Sequence, residues 1–263
     1  MQQRNALIQA EQATRQQIRD RLVDFATSLW GGMGSWRDAD VDRFVEQIVP
    51  RVRAGEIAVA RLTDAYLAAI TETPAVGVVD LSSIRNGVTG EEVYRRPAKT
   101  LYTELAAGKT FPEAQKIATD RLVSLVRTDL QLSMTHQAQS NLGRGGMRMF
   151  QRTLTGAENC ALCAIASTQR YWVEDLLPMH PGCDCGVAPW FGNDTWVINR
   201  QGLEQVHDLV AEQFGDSDRG ARMLPGGDNP RSDYLDLIVV RQHGEYGPTL
   251  TWKADKFTGP NSI

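Results

Sequence analysis

The chain has 263 residues and a net charge of −4, and 42% of its residues are apolar. This is enough to bury a sizeable core in one large domain or two small ones. Its apolar stretches are far too short to span a bilayer, so we expect a soluble protein with no membrane partner. Residues 85–152 carry eleven Lys and Arg against six Asp and Glu, whereas residues 153–263 carry eight against fifteen. This asymmetry marks either two partner surfaces or an ordinary solvated surface.

The N-terminal part of the chain predicts two long helices. Residues 1–28 place apolar side chains at roughly helical intervals. A second helix begins near Asp38 or Asp40, either of which serves as its N-cap, and continues to about residue 70. Pro50 falls inside this helix, so we expect it to kink or divide it.

The middle of the chain predicts a loop and then one long helix. Residues 73–97 are rich in Gly, Pro and charge, which is typical of a loop. Thr110–Glu113 reads T-x-x-E with a proline in the first turn, which is a capping box and the clearest helix start in the sequence. The helix that it opens continues to about Asn141, and glycines at 143–146 end it.

The C-terminal part predicts a helix over 201–214, a polar linker over 216–230 and a strand over 234–240. The last stretch, 243–263, has few helix formers and is expected to be an extended arm. Its three spaced aromatic residues are Tyr246, Trp252 and Phe257. Two alternatives stay open: the arm binds a partner through these aromatic residues, or it folds back on its own domain.

A short basic stretch without acidic residues follows the long helix. Arg144, Arg148 and Arg152 lie around Phe150. These arginines are candidates for contact with a phosphate backbone, with Phe150 packing inward. The alternative is a short strand that exposes alternate arginines.

All four cysteines lie within one run, as Cys160-x-x-Cys163 and Cys183-x-Cys185, and His180 precedes the second pair. The first pair suits a tight turn, and the second suits an extended segment, because side chains two apart in a strand share a face. Thiolates and an imidazole are the ligands of a structural Zn²⁺ site, which needs four of these five donors. The spacing leaves open whether His180 or Cys185 is the fourth ligand.

Other readings of the cysteines and of nearby motifs are less favoured. A disulfide pair fits an oxidising compartment, but the polar N-terminus lacks the apolar segment of a signal peptide. A zinc peptidase is not indicated, because H-E-x-x-H does not occur. His243-Gly244-Glu245 reads H-x-E, as in zinc deaminases, but it follows the cysteines and no P-C-x-x-C accompanies it.

The cysteine run resembles the signature of the phage Mu F-like minor head proteins, and it is most similar to the type found in actinobacterial siphophages. The residues that carry the resemblance are Cys160-x-x-Cys163, Tyr171, Leu177-Pro178, His180-Pro181-x-Cys183-x-Cys185 and Val187-x-Pro189. It covers residues 147–190 and about 20 residues of the C-terminal tail, whose H-G-E-Y-G-P-T-L-T-W-K is similar to the ends of the same group.

The resemblance implies a virion structural protein for head morphogenesis, present in few copies at the portal vertex of a tailed phage. It would lie in the capsid, and in the host cytoplasm during assembly. The portal protein is its implied partner, with the major capsid protein and packaged DNA as further candidates. Such proteins are often labelled proteases, but the sequence contains no G-x-S-x-G elbow or other catalytic constellation, so we expect no enzyme.

Two alternative functions stay open beside this one. A zinc-dependent hydrolase or protease of head maturation would need an open coordination position and a carboxylate such as Glu174. A DNA-binding internal head protein would use Arg144, Arg148 and Arg152 and would bind less tightly as salt rises.

The expected fold is α+β and predominantly helical, with one structural zinc per chain. Four regions are predicted. They are a helical region over 1–142, a zinc-stabilised Cys/His module with short strands over 143–200, a helix, linker and strand over 201–242, and the extended arm over 243–263.

Overall fold

The computed structural model describes residues 2–82, 84–154, 160–167, 169–192 and 238–254. They form an α+β structure in which helices predominate and the strands make small antiparallel sheets. The predicted fold class is therefore confirmed. The helix expected at 201–214 and the linker at 216–230 lie outside the described residues.

Three long helices form the body of the molecule. They are α1 (Gln2–Gly31), α2 (Asp38–Thr71) and α5 (Phe111–Arg144). Each packs on the other two, and their apolar side chains meet in one continuous core. Side chains from all three helices are at most 1% exposed there, among them Trp30, Phe44, Ile48, Leu122 and Leu125. This core is the rigid support on which the smaller elements lie.

Helix α5 begins as the sequence predicts. The Thr110 hydroxyl accepts from the backbone of the third helical residue, and the Glu113 side chain accepts from the Thr110 N–H at 2.9 Å. These reciprocal bonds satisfy backbone donors that the first turn leaves without partners. The helix ends at Arg144, within the expected glycine run.

Helix α2 differs from the prediction in its N-cap. Its N-cap is Arg37, which makes no capping side-chain bond, so neither Asp38 nor Asp40 caps it. Both aspartates lie in the first turn, where their charges interact favourably with the helix dipole. Pro50 does not divide the helix, which continues as one element from residue 38 to residue 71. Pro50 is exposed.

The predicted loop over 73–97 is wrong in its last part. Helix α3 (Gly90–Tyr94) and helix α4 (Arg96–Ala106) begin there. Helix α3 has its own capping box, with the Thr89 N–H donating to Glu92 at 3.0 Å. The same T-x-x-E pattern that marks α5 therefore also opens α3, a helix of only five residues.

A three-stranded antiparallel sheet follows α5. Its strands are β1 (Met149–Thr153), β2 (Arg170–Trp172) and β3 (Gly186–Pro189), in the order β2-β1-β3. Helix α6 (Ala161–Ser167) and a short 3-10 helix (Val173–Asp175) lie between the strands along the chain. One face of the sheet packs on the helical body, where the Tyr66 hydroxyl of α2 donates to the Val187 carbonyl at 3.2 Å.

The described part of the C-terminal stretch is a β-hairpin rather than a free arm. Strand β4 (Ile238–His243) pairs with strand β5 (Gly247–Trp252). The expected strand over 234–240 corresponds to β4 as far as it is described, since residues 234–237 are not. The boundary placed between residues 242 and 243 falls inside the hairpin, because the turn at 243–247 joins its two strands.

Candidate metal centre

Cys160 and Cys163 lie at the start of helix α6. Cys160 immediately precedes the first helical residue, and its carbonyl accepts the first helical hydrogen bond, from Ala164 at 3.0 Å. The Cys163 N–H donates to the Cys160 sulfur at 3.4 Å, and the two sulfurs are 3.3 Å apart. The C-x-x-C spacing thus forms the tight turn that the sequence predicts.

Cys183 and Cys185 lie between a tight turn and strand β3. Gly182 takes a left-handed conformation with φ +76°, which glycine adopts without strain. The next residues alternate in direction, so the sulfurs of Cys183 and Cys185 are 3.4 Å apart on one side. Asp184 points the other way and accepts from Arg15 of α1 at 3.3 Å. The C-x-C half thus directs two thiols at one point while its middle residue binds the helical body.

His180 and the central sulfurs join the two pairs. The sulfurs of Cys163 and Cys183 are 2.8 Å apart, and His180 Nε2 lies 2.9 Å from the Cys160 sulfur. His180 Nδ1 lies 3.0 Å from the Pro181 carbonyl oxygen. A carbonyl only accepts, so Nδ1 carries the proton and Nε2 faces the sulfurs. A hydrogen bond of this kind fixes the tautomer and orientation of a metal-ligating histidine.

All five predicted metal-ligand residues converge. Two sets of donor atoms lie within 4.8 Å of one another: Cys160, Cys163 and His180 form one set, and Cys163, Cys183 and Cys185 form the other. Cys163 belongs to both, so the two sets make one centre. A closed tetrahedral site needs four ligands, and the centre supplies five candidates. It can hold a metal ion.

The thiols of the centre divide into two kinds. Hydrogen bonds from Cys163 and Cys183 hold the pKa of Cys160 far below its usual range, and the same two partners lower the pKa of Cys185. The hydrogen bond to Cys160 raises the pKa of Cys163, and burial raises the pKa of Cys183, so each keeps its proton beside these thiolates. Burial lowers the pKa of His180, but its bond to Cys160 more than offsets this effect. A cation would displace the remaining thiol protons, so metal binding should release protons.

Arg152 is part of this centre and not of an exposed basic stretch. It is 2% exposed, lies 3.7 Å from the Cys185 sulfur and donates to the Leu177 carbonyl. Phe150 is buried as predicted, and residues two apart in a strand share a face, so Arg152 points inward with it. The prediction of Arg152 as a phosphate-contacting residue is therefore wrong. Arg144 and Arg148 are exposed.

Trp252 of strand β5 covers the centre. It packs in one apolar cluster with the buried cysteines, and Leu162, Ile165 and Met179 complete that cluster. The Leu250 N–H donates to the Pro178 carbonyl at 3.0 Å, which fastens the hairpin beside His180. Trp252, predicted as a partner-binding residue, is thus buried in the chain's own fold.

The hairpin turn is anchored in the helical body. Tyr246 is 6% exposed and packs with Leu81, Ile84 and Leu132. Of the two alternatives left open for the C-terminal stretch, the described residues therefore fold back on the chain, and Tyr246 is not available to a partner. Phe257 lies outside the described residues.

Sequence reasoning missed a buried ionic network at the same turn. Arg85 binds Asp129 of α5 and donates to Glu245 at 2.8 Å, and Arg96 of α4 donates to the same carboxylate at 3.0 Å. The Tyr94 hydroxyl donates to Asp129 at 2.6 Å. Glu245 belongs to the H-x-E motif set aside above, which was the available signal. The motif positions a structural carboxylate that holds the hairpin turn.

The carboxylate named for a hydrolase is not part of the centre. Glu174 is exposed on the 3-10 helix, and among the described residues both donor sets contain only Cys and His. Ser133, in the middle of α5, is no nucleophile of this centre either. Its hydroxyl donates to the Glu56 carbonyl of α2 at 2.6 Å, which is a structural contact between two helices.

Comparison with protein-family models, with curated proteins and with solved structures finds no significant match to this chain. No helix within the described ranges is long and apolar enough to cross a membrane.

Proposed function

We propose that the centre binds one structural Zn²⁺ per chain. Zn²⁺ favours thiolate and imidazole ligands in tetrahedral geometry, and the centre offers four thiols and one imidazole. Cys163, Cys183 and Cys185 are at most 6% exposed, and five protein donors compete for four positions, which leaves none for water. A closed site of this kind acts in folding rather than in catalysis.

We further propose that the protein is a virion structural protein of a tailed phage, a minor head protein that binds the portal at the head vertex during assembly. The observation that supports this most is the convergence of Cys160, Cys163, His180, Cys183 and Cys185, since these residues carry the resemblance to the Mu F-like minor head proteins. The proposed sites of action are the host cytoplasm during assembly and then the capsid near the portal vertex. The major capsid protein is a second proposed partner.

Native mass spectrometry of the protein, alone and mixed with a portal protein of the same phage, tests both proposals. We expect one zinc per chain and a complex of defined stoichiometry with the portal ring. A Cys163→Ser variant is the matched control for the metal and should lose the zinc mass.

The two proposals fail separately in this experiment. A metal-free wild-type chain contradicts the zinc site, and a zinc-loaded chain that ignores the portal contradicts the assembly role. In the second case, hydrolysis of a head protein that stops in a Glu174→Ala variant would establish the enzyme alternative instead.

A further inference from the structure

The three-stranded sheet has a second face, which the helical body does not cover. Met149 of β1 lies opposite Trp172 of β2, and the Trp190 N–H donates to the Met149 carbonyl at 3.0 Å. Side chains of directly opposite residues share a face in an antiparallel sheet. Trp172, Met149 and Trp190 therefore form one row across the sheet. The alternate residues Phe150 and Tyr171 stack at 5.2 Å on the inner face.

Arginines lie on this row. The Arg148 guanidinium is 5.7 Å from the centre of the Trp172 ring, and that of Arg170 is 4.7 Å from the Trp190 ring. Trp172 is 46% exposed, and Arg148 is exposed as well. We call the surface made of Arg148, Met149, Arg170, Trp172 and Trp190 the Arg–Trp face.

A groove of about 600 Å³ runs along one edge of the Arg–Trp face. Its lining residues include Gln139 of α5, Met147, Arg148, Trp172 and Glu174. The face thus combines an apolar row, a shallow groove and an excess of positive charge.

We propose that the Arg–Trp face is a docking surface for an acidic surface of a partner protein. Trp, Met and Arg are enriched at the centres of protein interfaces, and Trp and Arg dominate their binding energy. A half-exposed tryptophan beside Met149 supplies apolar area for such a centre. The exposed Arg148 supplies the charge that selects an acidic partner.

The geometry favours a protein over a nucleic acid as the occupant. Binding of single strands depends on bases that stack on aromatic ring faces, and the guanidiniums of Arg148 and Arg170 already lie against the Trp172 and Trp190 rings. Arg152, which would have extended a track of phosphate contacts, is buried. Glu174 borders the groove with a charge that repels phosphate and that a protein can pair.

This inference rests on the proposed function, which identifies the portal ring as the partner to test. The variants are Arg148→Glu and Trp172→Ala, both at exposed positions whose change should leave folding intact. Arg37→Glu is the matched control, because Arg37 is an exposed arginine at the start of α2. The measurement is the Kd for the portal ring in low and in high salt, beside the Kd for a dT20 oligonucleotide.

We expect Arg148→Glu and Trp172→Ala each to weaken portal binding roughly tenfold or more, while Arg37→Glu binds like wild type. The Arg148→Glu effect should shrink in high salt, which screens exposed charges, and the Trp172→Ala effect should persist. Portal binding by both variants within twofold of wild type would overturn the docking surface and leave the proposed function intact. A wild-type chain that does not bind the portal would overturn both. Binding of dT20 that these two variants abolish, with portal binding unchanged, would assign the face to nucleic acid instead.

Discussion

The metal centre and the ionic network around Arg85 are two buried polar clusters, and they differ in where their positive charge comes from. The network joins residues far apart in the chain, the metal centre joins residues within one short run, and each cluster contacts one part of the C-terminal hairpin. In the network, Arg85 and Arg96 face Asp129 and Glu245, so two cations meet two anions. In the metal centre, four thiols converge with a histidine, and Arg152 lies 3.7 Å from the Cys185 sulfur.

The difference lies in the source of the positive charge. Burial alone would lower the pKa of Arg85, but Asp129 raises it above its usual value, so the network carries its own cations. The thiols of the metal centre become ligands only as thiolates, and buried negative charge is costly without a counter-charge. The network should therefore need no ion from solution, whereas the metal centre should depend on one.

The sharpest way to break this comparison is to remove the metal. Chelation, or Cys163→Ser, should lower the free energy of unfolding by more than about 5 kcal/mol, because the free energy of metal binding in such a site contributes directly to folding. Cys163 is the choice because it belongs to both donor sets. The measurement is thermal and urea unfolding with and without chelator.

The chelator also supplies the control for Cys163→Ser. It should bring wild type down to the stability of the variant and should leave the variant unchanged. If wild type unfolds at the same temperature with and without chelator, the centre contributes no metal-dependent stability and the comparison fails.

Breaking the ionic network should have the next largest effect. Arg85→Met leaves Asp129 buried with only the Tyr94 hydroxyl as a described partner, and breaking a buried pair costs about 3–5 kcal/mol. Arg95→Met is the matched control, since the Arg95–Asp42 pair has 42% and 50% exposed side chains and should contribute less than about 1 kcal/mol. Urea unfolding measures both variants.

The loss in Arg85→Met should be the same with and without chelator. A loss that disappears when the metal is removed would mean that the two clusters stabilise one cooperative unit through the hairpin. The metal centre and the network would then differ in chemical composition, but they would not stabilise the fold independently.

Acid–base titration tests the surroundings of the network at Glu56, a buried carboxylate of α2 whose charge interacts with that of Asp129. Burial first, and the Asp129 charge next, raise the pKa of Glu56 from 4.5 to about 7. A folded-state pKa above the unfolded value means that the contribution is fully present below pH 4.5 and is lost as pH rises through about 7. By pH 8 wild type should have lost about 2–3 kcal/mol relative to a residue that stays neutral.

Glu56→Gln stays neutral at every pH, so it should gain stability over wild type between pH 5 and pH 8 by roughly that amount. Glu46→Gln, at an exposed carboxylate of the same helix, is the control and should show no such gain. Parallel pH profiles of stability for wild type and Glu56→Gln would contradict a raised pKa of Glu56 beside Asp129.

The two clusters also differ in how far the sequence predicts them. The metal centre is readable because its donors are local: C-x-x-C and C-x-C each place two sulfurs together by backbone geometry alone. The capping box at Thr110 is local in the same way, and it predicts the start of α5 correctly. The network pairs residues such as Arg85 and Glu245, which are 160 positions apart, and no local pattern encodes which arginine meets which acid.

Errors of prediction have the same origin. The sequence groups Arg152 with Arg144 and Arg148 as an exposed arginine. In the structure Arg152 is buried on the inner face of β1, 3.7 Å from the Cys185 sulfur. Trp172 and Trp190 lie near the cysteines in sequence, yet it is Trp252 from the distant hairpin that packs with them. In each case a tertiary contact decides between two locally acceptable orientations.

The smallest expected effect tests whether the centre has one donor more than it needs. His180 belongs to one donor set and Cys185 to the other, while Cys163 is shared. A Cys185→Ser change leaves Cys160, Cys163, His180 and Cys183, which are four donors that include the shared Cys163 and are enough for tetrahedral coordination. Cys163→Ser also leaves four donors, but it removes the one that joins the two sets. The Cys185→Ser variant should therefore keep one metal per chain and lose less than about 1 kcal/mol of stability, in the range of an ordinary small substitution.

The double variant His180→Asn/Cys185→Ser decides the point, because it leaves three donors. It should lose the metal and unfold like Cys163→Ser, far beyond the sum of its two single changes, as coupled neighbours do. If Cys185→Ser alone releases the metal, Cys185 is an obligatory ligand, and His180 then supports the thiolates through its bond to Cys160. The cost of that single change would in that case equal the cost of chelation, so metal content and unfolding free energy must be measured on the same samples.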